Sequence, residues 1–173
     1  MRWYIPMDAV FGAPENNEGE VHVSVRNGNG RPMFKQLNGV VIQEVTDDTI
    51  SFKLQQEMNC YDDDIVAAAN VNSEAWFGRK VQEKTLEKAY TSSVEEDVLT
   101  TTIMKDKLRI YDTEKNIVDV DSLTEGTICN VVVELNRIWF VKRNFGPEWF
   151  TVQVKVVKPP ETDPYDGYLF QDE

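Results

Sequence analysis

The most regular feature of the chain is alternation with a period of two. Val21, Val23 and Val25 alternate with His22, Ser24 and Arg26, the pattern of a half-buried strand. Asn27-Gly28-Asn29-Gly30 follows as a turn signal. Two further strands are predicted over residues 37–45 and 49–55, joined through Thr46-Asp47-Asp48. In the second, Ile50, Phe52 and Leu54 face one way and Ser51, Lys53 and Gln55 the other. Strands return over residues 99–111, 128–141 and 149–157. Turns are predicted at 112–116 and at Asn144-Phe145-Gly146-Pro147. Pro159-Pro160 ends regular structure, because proline has no N–H for a ladder. Residues 8–19, rich in Gly, Asn, Pro and Glu, read as an irregular lead-in.

The middle breaks the alternation. Asp62-Asp63-Asp64 precedes Ile65-Val66-Ala67-Ala68-Ala69, a short helix or a core strand. Residues 80–90 are helix-like, with Val81, Leu86, Ala89 and Tyr90 on the apolar side, and Gly78 separates them from 73–77. Short strands with turn signals and one or two inserted helices predict a mainly β fold. The preferred architecture is an OB-like five-stranded barrel over residues 1–158, with a helical insertion near 61–91 and an acidic tail at 159–173.

Composition narrows this picture. At 173 residues and 41% hydrophobic, the chain suits one domain with a real core. It contains no apolar run long enough to cross a bilayer, and its first residues do not form a secretory signal. The expectation is an intracellular protein, cytoplasmic or nuclear, with no membrane partner. Cys60 and Cys129 form no CxxC pair and read as buried, reduced thiols. The net charge of −12 taken alone argues against nucleic acid. The charge is uneven, however. Glu161, Asp163, Asp166, Asp172 and Glu173 share the tail with no Lys or Arg, whereas basic residues gather between Lys105 and Lys158.

Enzyme signatures are missing. There is no GxSxG, P-loop, GxGxxG or cysteine–histidine zinc spacing, and no cofactor is implied. The single histidine, His22, lies on the polar face of a strand with no visible partner. Asp62–Asp64 reads as a solvated acidic turn before it reads as a cation site, so no metal is expected. The positive signal is basic and aromatic residues interleaved on the late strands. If 103–111 is extended, Lys105, Lys107, Arg109 and Tyr111 share one face. Phe150, Val152 and Val154 form the apolar side of the last strand, which puts Trp149 with Thr151, Gln153 and Lys155 on the polar side. Arg137, Lys142, Arg143 and Phe145 lie between. Cations that track phosphates and rings that stack on bases are what single-stranded nucleic acid requires. Trp139 shares parity with Val131, Val133 and Leu135 and is read as core.

The block Val132-Val133-Glu134-Leu135-Asn136-Arg137-Ile138-Trp139-Phe140, followed by Asn144-Phe145-Gly146-Pro147-Glu148-Trp149, resembles one in single-stranded DNA-binding proteins of large eukaryotic DNA viruses. That group is related to the replicative single-strand binders of short-tailed phages. The resemblance implies an OB fold with an inserted helix, binding without sequence preference, and an acidic tail bearing a terminal aromatic. It makes single-stranded DNA the expected partner in replication or recombination. The predicted contacts are Lys105, Lys107, Arg109, Arg137, Lys142, Arg143 and Lys155 to phosphates, with Tyr111, Phe145 and Trp149 stacking. Replication proteins would dock on the tail at Asp163, Asp166, Tyr168, Phe170, Asp172 and Glu173, and a homodimer is left open. The alternative is a structural or protein-interaction component, a virion or assembly factor, that uses the same barrel without DNA.

Overall fold

The strands and helices follow from where the pattern places apolar residues, and the break points follow from local backbone geometry. The structure, a computed structural model, describes residues 8–159 and residue 170. The strands are β1 (Ala9–Phe11), β2 (Glu15–Asn17), β3 (Glu20–Asn27), β4 (Met33–Val45), β5 (Thr49–Lys53), β6 (Val94–Glu95), β7 (Val98–Ile103), β8 (Arg109–Tyr111), β9 (Ile117–Val118), β10 (Ile128–Val141) and β11 (Asn144–Lys158). Three helices, α1 (Asp62–Val71), α2 (Ser73–Phe77) and α3 (Glu83–Ala89), interrupt them between β5 and β6.

Pairing closes five strands into a ring: β4 with β5, β5 with β7, β7 with β11, β11 with β10, and β10 back to β4. All these pairings are antiparallel except β7–β11, where Phe150 lies beside Thr102 and Thr151 beside Ile103 in parallel. Numbered along the chain, the barrel runs first-second-third-fifth-fourth, the Greek-key closure of an OB barrel. The predicted fold class is therefore what forms. The lead-in expected to be irregular carries β1 and β2, both paired with β3, which in turn extends the sheet from the far half of β10.

The core fills the ring. Ile42, Ile50, Phe52, Leu99, Val131, Val133, Leu135 and Val154 are all essentially inaccessible to solvent. The Asp62–Asp64 segment is the first turn of α1, where three carboxylates meet the positive end of the helix dipole. Ile65, Val66 and Ala69 turn that helix onto the core. Asp62 accepts hydrogen bonds from the Tyr90 hydroxyl and, at 2.9 Å, from Ser92 Oγ, which ties the start of α1 to the segment after α3. Burial and the adjacent Asp62 carboxylate hold the Tyr90 phenol well above its ordinary pKa. Trp76 and Phe77 pack edge-on against Phe140 and anchor α2 to the barrel wall.

Of the three irregularities in the register of the last two strands, the two past Val132 reset side-chain parity where the site forms. Leu135 faces Trp149 and Arg137 faces Glu148, so Asn136 has no partner on β11. Likewise Val132 faces Gln153 and Val133 faces Thr151, so Val152 is extra. An extra residue in one strand moves every following side chain to the opposite face. On β10 the buried set passes from Cys129, Val131, Val133 and Leu135 to Ile138. On β11 it passes from Phe145, Trp149 and Thr151 to Val154. The turn expected at 144–147 is part of β11, and the chain reverses instead at Lys142-Arg143.

Candidate nucleic-acid interface

The bulge at Asn136 places Trp139 on the outer side of the barrel wall, where it is half-buried. Its register partner is Gly146, and the indole lies across that backbone. A Cβ at Gly146 would stand 2.9 Å from Trp139 Cζ2 and clash with the Thr91 carbonyl oxygen, so no larger residue fits without displacing the ring or that carbonyl. The segment after α3 runs alongside. Thr91 N–H donates to the Phe145 carbonyl at 2.9 Å, and Ser93 Oγ donates to the Pro147 carbonyl at 3.1 Å. Trp139 thereby forms a ridge between two open grooves.

One groove, of about 520 Å³, runs over the outer face of β7, with Thr100, Thr102, Ser92 and Ser93 in its walls and Glu95 and Glu96 at its edge. Trp149 lines it from the core side. The other groove, of about 800 Å³, lies between β3 and the β10–β11 hairpin, with His22, Phe140 and Lys142 along it. Lys142 and Arg143 are exposed at the tip, in the loop between the fourth and fifth barrel strands.

The predicted contact residues do not form one stripe. Trp149, expected on the polar face, is 1% exposed and stacks on Tyr61 at 6.3 Å between ring centres. Phe145 is fully buried and stacks on Phe140. Neither ring is open to a base, and the burial expected of Trp139 and Trp149 is exchanged. The 103–111 segment is not one strand. Lys107 and Leu108 N–H groups both donate to the Met104 carbonyl and close a turn, so Lys105 and Lys107 leave the face that holds Arg109 and Tyr111. Arg109 donates to the carbonyls of Asp106 and Leu108. Tyr111 and Lys155 are register partners and share a shallow depression of about 240 Å³ with Gln36 and Gln153.

Arg137 is committed elsewhere. Its Nε and Nη2 donate to the two carboxylate oxygens of Glu148 at 2.7 and 3.3 Å, and that pairing raises its pKa further. His22, expected to have no partner, contacts Glu15 at 3.1 Å across β2–β3. Among the described residues no group of three or more His, Cys, Asp or Glu side chains is placed to hold a metal ion, and no helix is long and apolar enough to cross a membrane. Of the tail residues predicted to dock partners only Phe170 is described, 78% exposed; Asp163, Asp166, Tyr168, Asp172 and Glu173 lie outside the described residues.

Barrel order and strand directions together define an OB-type barrel with a Trp139-centred groove system on its outer wall. The chain belongs to a family of unknown function, DUF5871, whose profile matches residues 38–172. No curated protein sequence matches it. Among solved structures it is similar to the single-stranded DNA-binding protein of bacteriophage Enc34. The complex with single-stranded DNA aligns at a TM-score of 0.42 and 10% identity, covering 90% of this chain and 98% of that one. The DNA-free form aligns at 0.44 and 10%, covering 94% and 96%, and a C-terminal truncation at 0.40 and 10%, covering 91% and 97%.

Proposed function

We propose that this protein binds single-stranded DNA along the outer wall of its barrel, with Trp139 as the stacking residue and Lys142 and Arg143 as the phosphate contacts. The observation that carries this reading is the position of Trp139. It is a half-buried indole on a ridge between two grooves, three residues from a basic loop tip. OB barrels take up oligonucleotides across their second and third strands and at the loops joining the first to the second and the fourth to the fifth. Here the third strand is β7 and the fourth-to-fifth loop holds Lys142-Arg143. A ring that stacks on any base and cations that follow phosphates form a binding mode tolerant of sequence. In this reading the protein coats exposed strands during replication or recombination, and residues 161–173 serve protein partners.

The test is titration of labelled oligo-dT at low and moderate salt, beside a duplex of equal length. Single-strand binding that weakens with salt, and much weaker duplex binding, are expected. Trp139→Ala should reduce affinity roughly 5- to 100-fold, the equivalent of one lost stacking contact. Equal affinity for both forms, or no binding at low salt, overturns the reading. One observation favours the second reading, a protein-interaction component: Glu95 and Glu96 border the β7 groove of a chain whose net charge is −12. Failure of every oligonucleotide to bind at low salt is the outcome that selects it.

A further inference from the structure

The β7 groove is poorly made for a phosphate and well made for the edge of a base. Glu95 and Glu96 are exposed at its border, and carboxylates repel the DNA backbone. Its wall carries the hydroxyls of Ser92, Ser93, Thr100 and Thr102, with the Trp139 ring at one side beside Glu148, whose carboxylate is held by Arg137. A cation that could track phosphates stands instead at the hairpin tip, in Lys142 and Arg143. A strand laid on Trp139 with its phosphates toward that tip therefore turns base edges toward the carboxylates.

A second, independent feature lies in the same groove. Trp149 forms part of its wall and is 1% exposed, and its Nε1–H is buried without a hydrogen-bond partner. Among the described residues it is the one buried side-chain polar atom left so. Buried donors are nearly always satisfied, and an unsatisfied one calls for an explanation. An acceptor arriving with a ligand supplies it.

A groove that offers carboxylate acceptors at its edge and an unmet N–H in its wall is complementary to a group carrying an amine beside a carbonyl or ring nitrogen. Cytosine presents N4–H₂ next to N3 and O2, and carboxylates are suited to accept from that amine. Thymine presents O4 at the same position, so a carboxylate meets a second acceptor and repels it. We infer that the groove between β7 and the Trp139 ridge is a base-reading subsite that favours an amine-bearing base, cytosine over thymine, with Glu95 and Glu96 accepting from the exocyclic amine. This rests on the single-strand binding proposed above and adds a preference at one position to a mode that otherwise tolerates any base.

The experiment compares oligo-dC with oligo-dT of equal length, at neutral pH, on the full chain and on the variant Glu95→Gln/Glu96→Gln. Both side chains are exposed, so the variant retains the fold; circular dichroism checks this. The wild-type chain should bind oligo-dC about fivefold more tightly than oligo-dT, the lower end of discrimination by one amine contact. In the variant the ratio should fall toward one, chiefly because oligo-dT binds better once the carboxylates are neutral. Equal wild-type affinity for the two oligonucleotides overturns the base preference and leaves single-strand binding standing. A preference that survives in the variant overturns the assignment to Glu95 and Glu96. Absence of binding to either oligonucleotide overturns the functional reading beneath both.

Discussion

Trp139 and Trp149 sit on paired strands, yet one is half-buried on the outer wall and the other is buried, in register with Leu135 and stacked on Tyr61. Trp149→Ala should cost about 3–5 kcal/mol of stability, as deletion of a large buried aromatic does, with denaturant melts as the measurement. Trp139→Ala should leave the melt nearly unchanged and weaken oligonucleotide binding instead. Loss of folding on Trp139→Ala with retention on Trp149→Ala would show that the two sides of the wall are reversed. The cysteines behave as expected from their spacing: both are free and buried. Burial pushes Cys60 up to about 11 and Cys129 up to about 12, from an ordinary value of 9.0. Each folded thiol thus keeps its proton after the unfolded one has lost it. Their contribution to stability is complete below pH 9 and is lost as pH rises through 11 and 12. Melting temperature should fall steadily above pH 9, and neither thiol should react with a disulfide reagent at pH 8 until denaturant is added.

The β10–β11 hairpin is the element that builds the candidate interface, and its irregular positions are the ones that matter. Gly146 admits the Trp139 ring, so Gly146→Ala should force the indole or the Thr91 carbonyl to move. The expected cost is about 1–3 kcal/mol with reduced DNA affinity, read from the same melts and titrations. Lys142 occupies a left-handed conformation at φ 54°, where a side chain is strained and glycine is not. Lys142→Gly should therefore stabilise the protein by about 0.5 kcal/mol while weakening DNA binding, so stability and affinity move in opposite directions. These same positions explain what the sequence left illegible. The strands predicted over 21–25, 37–45 and 49–55 announce themselves by alternation, because one face of each is buried, and 128–141 announces itself as a long β-prone run. Parity cannot be carried through a bulge, and among the polar positions Glu134, Asn136 and Arg137 of Val131–Phe140 nothing in the sequence marks Asn136 as the extra one. Trp139 and Trp149 therefore each lie on the face opposite to the one their parity predicts. The basic stripe failed differently: Lys105 and Lys107 alternate correctly, but the Met104 carbonyl closes a turn that alternation cannot reveal.

At the scale of the whole molecule, the proposed DNA binding by a chain of net charge −12 rests on local rather than global electrostatics. The number of phosphates engaged is then small, and the salt dependence should be shallow. Replacing Lys142 and Arg143 together by Ala should lower the slope of log affinity against log salt by about 1.4, at 0.7 per phosphate contact on a single strand. An unchanged slope would place the phosphate contacts elsewhere, with Arg109 and Lys155 beside Tyr111 as the next to test. The overall β class and the inserted helices are legible from strand spacing; the closure is not, since no local pattern reports that β11 lies parallel to β7. That closure governs how the protein comes into being. β4 needs β10 on one side, and β7 needs β11, so every strand made early waits for one made late. While a ribosome is still producing residues 54–127, β4 and β5 are a hairpin with an open apolar face. The nascent chain should stay sensitive to protease and exposed to chaperones until β11 has cleared the exit tunnel, because the ring cannot close before then.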